Sequence, residues 1–197
     1  MSSTSMQRSS RPIIISGPSG VGKGTLIDKL RVARPNKIAT TVSHTTRKPR
    51  PGETEGVDYF FKSVPEFASL TDAGAFIEHT YFGGDHYGTS KQTIADRMRS
   101  GLTVILDIEM EGVKSIKTSS NLEARYIFIK PPSLSALEAR LRRRGTEDEA
   151  SIQKRLARAR AELEYAATPG VHHLIIVNDD LERAYKELEE FVFGEVA

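Results

Sequence analysis

Cysteine is absent from these 197 residues. That excludes disulfides and thiolate chemistry and predicts a reducing compartment, with a cytoplasmic protein as the expectation. Long apolar runs are also missing: "TVILDI" (103–108) and "HLIIV" (173–177) are far too short to span a bilayer, so no membrane partner is expected. Charge of one sign is nearly balanced, at a net +2, which argues against a dedicated nucleic-acid binder. The opening "MSSTSMQRSS" has no apolar stretch for a secretory signal and is very short for a transit peptide, so residues 1–10 read as a disordered tail. What is present is ordinary for a globular domain with a real core: 38% hydrophobic and 27% charged residues.

Short apolar strands alternate with helical segments, which predicts an α/β fold with a largely parallel sheet. "PIIIS" (12–16), "LTVILDI" (102–108), "ARYIFIK" (124–130) and "HHLIIVN" (172–178) read as strands. Helices are expected over 22–33 and 180–193, and Ser133 after Pro131-Pro132 is a helix N-cap candidate. Residues 43–89 break this rhythm with Thr, Tyr, Phe and turn signals and read as a small β-rich insertion. Residues 133–164 read as two helices flanking "RGTEDEA", with Ile152, Leu156 and Leu163 as an apolar stripe. Between Arg140 and Arg160 eight basic residues face only three acidic ones. A solvated helix face is the ordinary explanation of such arginines, yet an excess this large calls for an anion.

The stretch "GPSGVGKG" (17–24) follows a strand and opens a helix, the context of a phosphate-binding loop. Backbone N–H groups from Ser19 through Gly20, Val21 and Gly22 to Lys23 would point at phosphate, helped by the helix N-terminus. Lys23 would reach the outer phosphates. Gly24 stands where Ser or Thr is expected to ligate Mg²⁺, and Thr25 carries its hydroxyl one position late, so the metal is expected to be held through waters. Asp107 closes a buried strand at its carboxyl end, where ligands of parallel sheets sit. It could orient a water on Mg²⁺ or simply cap the helix beginning near Met110.

A second constellation follows. "SHTTRKPRPGE" (43–53) offers Ser43, Arg47 and Arg50, with Tyr59 in "DYFF", Glu78 in "FIEH", and Tyr87 and Thr89 in "HYGTS". With "ILDIEMEGV", "RGTEDEASIQKRL" and "IVNDDL", these blocks resemble the guanylate kinase family, in family order from residue 11 to about 193. The resemblance implies a P-loop three-layer sandwich with a mostly parallel five-stranded sheet, a GMP-binding insertion and a helical lid. The core would comprise 11–42, 90–132 and 165–197, with 43–89 for GMP and 133–164 as the lid. It implies ATP and GMP as substrates, GDP as product, Mg²⁺ as cofactor and a monomer.

By that resemblance Glu78 and Ser43 recognise guanine, and Arg47, Arg50, Tyr59 and Tyr87 hold the GMP phosphate with Thr89 nearby. A carboxylate can accept from both N1 and N2 of guanine, whereas adenine's N1 lone pair would leave it unpaired. Asp107 and Glu109 line the GMP side, Glu109 standing where the family usually has Asp. Arg144 and Arg155 match the family's catalytic arginines, and Arg140, Asn178 and Asp179 match contacts on the ATP side. Arg142, Arg143, Arg158 and Arg160 have no such match and read as solvated. The nucleophile, a GMP phosphate oxygen, is already anionic at neutral pH because the second phosphate pKa is about 6, so no general base is needed. Catalysis then falls to positioning and charge neutralisation by Lys23, Arg50, Arg144, Arg155 and Mg²⁺. The alternative is a catalytically inactive, protein-binding module of the same family. Such modules lose the loop lysine and much of the acceptor set, and here Lys23, Arg47, Arg50, Glu78, Arg144 and Arg155 all stand in place.

Overall fold

Ile13–Ser16 (β1) is a run of four residues with no exposed face, the signature of a strand covered on both sides. In the computed structural model, which describes residues 11–82, 84–119, 121–144 and 148–194, β1 is the centre of a parallel sheet. Residues 1–10 and the side chain of Arg144 lie outside the described part. The other strands are Ile38–Thr40 (β2), Ser43–Thr45 (β3), Tyr59–Phe61 (β4), Phe76–Phe82 (β5), Asp85–Ser90 (β6), Thr103–Asp107 (β7), Arg125–Lys130 (β8) and Leu174–Val177 (β9). The helices are Lys23–Ala33 (α1), Val64–Asp72 (α2), Lys91–Arg99 (α3), Met110–Ser119 (α4), Leu134–Arg144 (α5), Glu149–Ala166 (α6) and Leu181–Phe193 (α7).

Two sheets result. The five-stranded one has the order β2-β7-β1-β8-β9 with every neighbouring pair parallel. Alternation along its strands divides the core into two apolar layers. Ile13, Ile15, Ile127 and Ile129 face α1, α5, α6 and α7 through Leu30, Leu141, Leu156 and Leu188. Ile14, Val104 and Leu106 face α3 and α4 through Ile94, Val113 and Ile116. Helices on both faces of one parallel sheet make the three-layer α/β sandwich. Full burial of each isoleucine contributes roughly 2–3 kcal/mol.

The second sheet, β4-β3-β6-β5, has four strands and mixed pairing: β3 runs parallel to β4, while β6 is antiparallel to β3 and β5. It covers Phe67 of α2 against Phe76, whose rings stack 4.6 Å apart. Ser63 and Glu66 form a reciprocal cap at the start of α2. Ser133 accepts from Ala136 N at 3.1 Å and Asp148 from Ser151 N at 2.7 Å, so α5 and α6 begin on side-chain caps. None of the described helices is long and apolar enough to cross a membrane.

Candidate functional site

The carboxyl ends of β1 and β7 open onto the loop 17–22. At Gly17, φ is +144°, and a Cβ there would lie 2.2 Å from Ile129 O, so the loop lies against β8 too closely for any side chain. Gly22, with φ +102°, turns the loop into α1, and a Cβ would stand 2.5 Å from Asn178 Nδ2. A Cβ at Gly24 would meet nothing within 4 Å. Asn178 Nδ2 donates to Val21 O at 2.8 Å, and Arg140 donates to the same oxygen at 3.2 Å and to Asn178 O at 2.7 Å. Arg140 and Asn178 therefore hold the loop's backbone from behind.

Lys23, on the first turn of α1, donates to Gly17 O at 2.6 Å and lies 3.7 Å from Asp107 Oδ1. Its side chain is only 12% exposed against 47% for Asp107, so the ammonium is enclosed and the carboxylate open to the cleft. On α6, Arg155 donates to Ser19 Oγ of the loop.

Across the cleft stands the small sheet. Glu78 on β5 is 7% exposed and paired in register with Thr89 of β6. Burial pushes its carboxyl above its ordinary value of 4.5; hydrogen bonding from Thr89 opposes the shift, and the nearby Glu109 charge adds to it. Ser43 Oγ lies 3.3 Å from Thr89 Oγ1. α4 supports this wall: a Cβ at Gly112 would sit 2.8 Å from Glu78 Oε2, so only glycine lets the helix lie so near the acid. Arg47 is bonded to Glu53 Oε1 at 2.8 Å, and its guanidinium lies 5.3 Å from the Tyr59 ring centroid. That bond to Glu53 raises the Arg47 pKa further above an already high value. Arg50 N donates to the other Glu53 oxygen at 2.7 Å. Tyr59 and Tyr87 meet edge to face at 6.0 Å.

These pieces enclose a cleft of about 740 Å³. It gathers Ser19, Lys23, Asp107, Glu109 and Arg155 from the core side with Ser43, Arg50, Tyr59, Glu78 and Tyr87 from the facing side. A smaller cavity of about 320 Å³ behind the loop gathers Gly20, Val21, Gly22, Thr25, Arg140, Asn178 and Asp179. Of the remaining sequence candidates, Arg47 is turned onto Glu53, and Thr89 is buried behind Ser43. Gly24 starts α1 beside Lys23. Asp179 pairs with Arg183.

Of the arginines read as solvated, one is exposed as expected but borders a cavity, and one is partly buried and paired. Arg143 lines the smaller cavity. Arg158 bridges Glu109 Oε2 and Glu162 Oε1, the latter at 3.1 Å from its Nε. Glu162 is only 4% exposed, and burial raises its pKa, opposed by the charges of Lys23 and Arg158. Sequence reasoning missed Glu162 altogether; its place on the buried side of α6, seven residues after Arg155, was the available signal. Two of the histidines are held in packing contacts. His172 Nε2 lies 3.0 Å from Ser16 Oγ, and burial drops the ring's pKa to about 4, while His44 packs against Phe60 and Phe76.

A parallel sheet whose first strand enters a glycine loop and a lysine-led helix defines a P-loop nucleotide-binding protein. The facing wall, with its buried carboxylate, narrows that class. A family model described as guanylate kinase matches residues 9–195. The guanylate kinase of Sus scrofa is 46% identical over 188 residues, covering 95% of this chain and 94% of that one. The guanylate kinase of Schizosaccharomyces pombe is 48% identical over 179 residues, with 91% and 88% covered. A crystal structure of guanylate kinase from Anaplasma phagocytophilum superposes with a TM-score of 0.68 at 30% identity, covering 92% of this chain and 84% of that one. The chain belongs to the guanylate kinase family.

Proposed function

We propose that this chain transfers a phosphoryl group from ATP to GMP, giving ADP and GDP, with dGMP as a further acceptor. The observation that carries the reading is the single cleft in which Lys23 and Arg155 face Glu78 across one cavity. In this reading ATP lies on the loop, its phosphates on the N–H groups of residues 19–24 and on Lys23, and its base in the smaller cavity by Arg140, Asn178 and Asp179. GMP lies against residues 43–89, its guanine on Glu78, Ser43 and Glu109 and its phosphate toward Arg50, Tyr59, Tyr87 and, once released from Glu53, Arg47. Residues 133–164 form a lid that carries Arg144 and Arg155 to the transferring group. Both halves of the site come from one chain, so a monomer suffices.

The chemistry asks little covalent work of the protein. The acceptor oxygen is already anionic, so the residues must bring like charges together and exclude water. One unit-charge pair at 4 Å costs roughly 4 kcal/mol at an effective dielectric of 20. Lys23, Arg50, Arg144 and Arg155 offset that repulsion as charge spreads over the phosphoryl oxygens.

A divalent metal fits the donor set. Asp107 offers a half-exposed hard oxygen beside Lys23, and Gly24 contributes no hydroxyl. Among the described residues no three His, Cys, Asp or Glu gather into a cage. Mg²⁺ characteristically takes one or two carboxylates together with phosphates and water, and Asp107 is the residue that would hold it. Bound there, it would supply charge neutralisation between the phosphates.

An assay of ADP release with GMP, dGMP, AMP, UMP and dTMP tests the reading. Turnover of GMP and dGMP with little of the others is expected. No turnover of GMP would sink it, and AMP turnover equal to GMP would sink the assignment of Glu78.

A further inference from the structure

α6 carries Arg155, Arg158 and Glu162, spaced by three and four residues along one helix face. Arg155 reaches the phosphate loop at Ser19, and Arg158, one turn on, reaches Glu109 between β7 and α4. One helix face thus touches both the phosphate loop and the end of β7, where Glu109 lies close enough to Glu78 for its charge to be felt. Arg158 does not swing freely: its Nε donates to the buried Glu162 Oε1 at 3.1 Å while its Nη2 donates to Glu109 Oε2.

We infer that Arg158 is a positioning residue for the GMP base, anchored by Glu162 and holding Glu109 by one oxygen so that Glu109 Oε1 is set as an acceptor for guanine. The inference rests on the acceptor reading given above. Glu109 lines the cleft together with Glu78 and Ser43, and its charge is felt at Glu78. Two carboxylates sharing one end of a cleft repel, and a cation on the second of them relieves the repulsion without entering the space of the base. The guanidinium suits this place because its fork of five donors serves two carboxylates at once, which the single ammonium of lysine does less well. Glu109, Arg158 and Glu162 therefore form one chain of charge-assisted bonds from the cleft into α6.

Steady-state kinetics of Arg158→Ala, Arg158→Lys, Glu109→Gln and the Arg158→Ala/Glu109→Gln pair test this. Arg158→Ala is expected to raise the GMP KM roughly five- to tenfold and the ATP KM less than about twofold, and Arg158→Lys to recover part of the loss. On a Glu109→Gln background the same alanine should add no more than about twofold, because the group it positions is already altered. Equal effects on both KM values, or full additivity with Glu109→Gln, would overturn the inference. Removing Arg158 strands Glu162, so the comparison is repeated with Glu162→Gln throughout; no GMP-selective rise there would overturn it as well. If Glu109→Gln leaves the GMP KM unchanged, Glu109 is no guanine contact and the inference fails alone. A wild-type chain that does not turn over GMP fails the functional reading itself.

Discussion

Around the phosphate loop, three glycines with positive φ press backbone against neighbouring groups, and the groups that would meet phosphate are mainly peptide N–H donors. Across the cleft, the four-stranded sheet presents Glu78, Ser43, Tyr59 and Tyr87, with Arg50 on the loop after β3, and the groups that would meet a ligand there are side chains. The difference follows from the ligands. A phosphate is the same on every nucleotide and can be gripped by main chain, whereas a purine is distinguished only by which edge atoms donate and accept. The loop half should therefore tolerate no change of backbone, and the small sheet should tolerate change of shape better than change of charge.

The largest effect should come from the one side chain the loop half cannot replace. Lys23→Ala is expected to lower kcat by about 10³-fold or more, about 4 kcal/mol, with the fold retained; a loss below tenfold would show that backbone alone suffices. Next comes Glu78→Gln, expected to raise the GMP KM by roughly 100-fold and the ATP KM less than twofold. Equal losses would erase the division between the halves.

The same substitution gives a pH test. The folded protein holds the Glu78 proton more tightly than the unfolded chain, because burial raises its pKa above 4.5. The stability this provides is fully present below the ordinary value and is lost as pH rises through the raised one. Thermal melts should accordingly show the wild type losing ground to Glu78→Gln between pH 4 and pH 8, and a constant difference would count against the raised pKa.

Smaller effects sharpen the comparison on the loop side. Gly22→Ala places a Cβ 2.5 Å from Asn178 at a φ of +102° and should cost about 2 kcal/mol, or roughly 4–8 °C in Tm. Gly24→Ser, with open space around it, should change kcat/KM by less than tenfold, about 1.4 kcal/mol. A large change in its Mg²⁺ requirement would show that the missing hydroxyl matters.

The core was readable where burial is two-sided. β1, β7, β8 and β9 announce themselves as apolar runs, and the closing helix carries a clear amphipathic face. β2, three residues at the sheet edge, offers no period to count. The parallel pairing of β3 with β4 could not be read either, because register between three-residue strands is set by tertiary contacts. Within the site, residues gathered by local motif were legible and residues joined over long separations were not. Arg158 looks like any helix-surface arginine until the fold brings Glu109, 49 positions away, to its guanidinium. Glu53 closes the motif "SHTTRKPRPGE", yet only the structure shows it occupying Arg47.

The two donors on Val21 O have a reach beyond their own bonds. A peptide unit is planar and trans, so its carbonyl and the next N–H point in opposite directions. By drawing the Val21 oxygen one way, Asn178 and Arg140 turn the Gly22 N–H the other. Gly22 has the backbone freedom to let this peptide rotate by half a turn, which would exchange a donor for an acceptor. Asn178 and Arg140, lining the cavity on the far side of the loop from the main cleft, thus set which way this one peptide presents its donor.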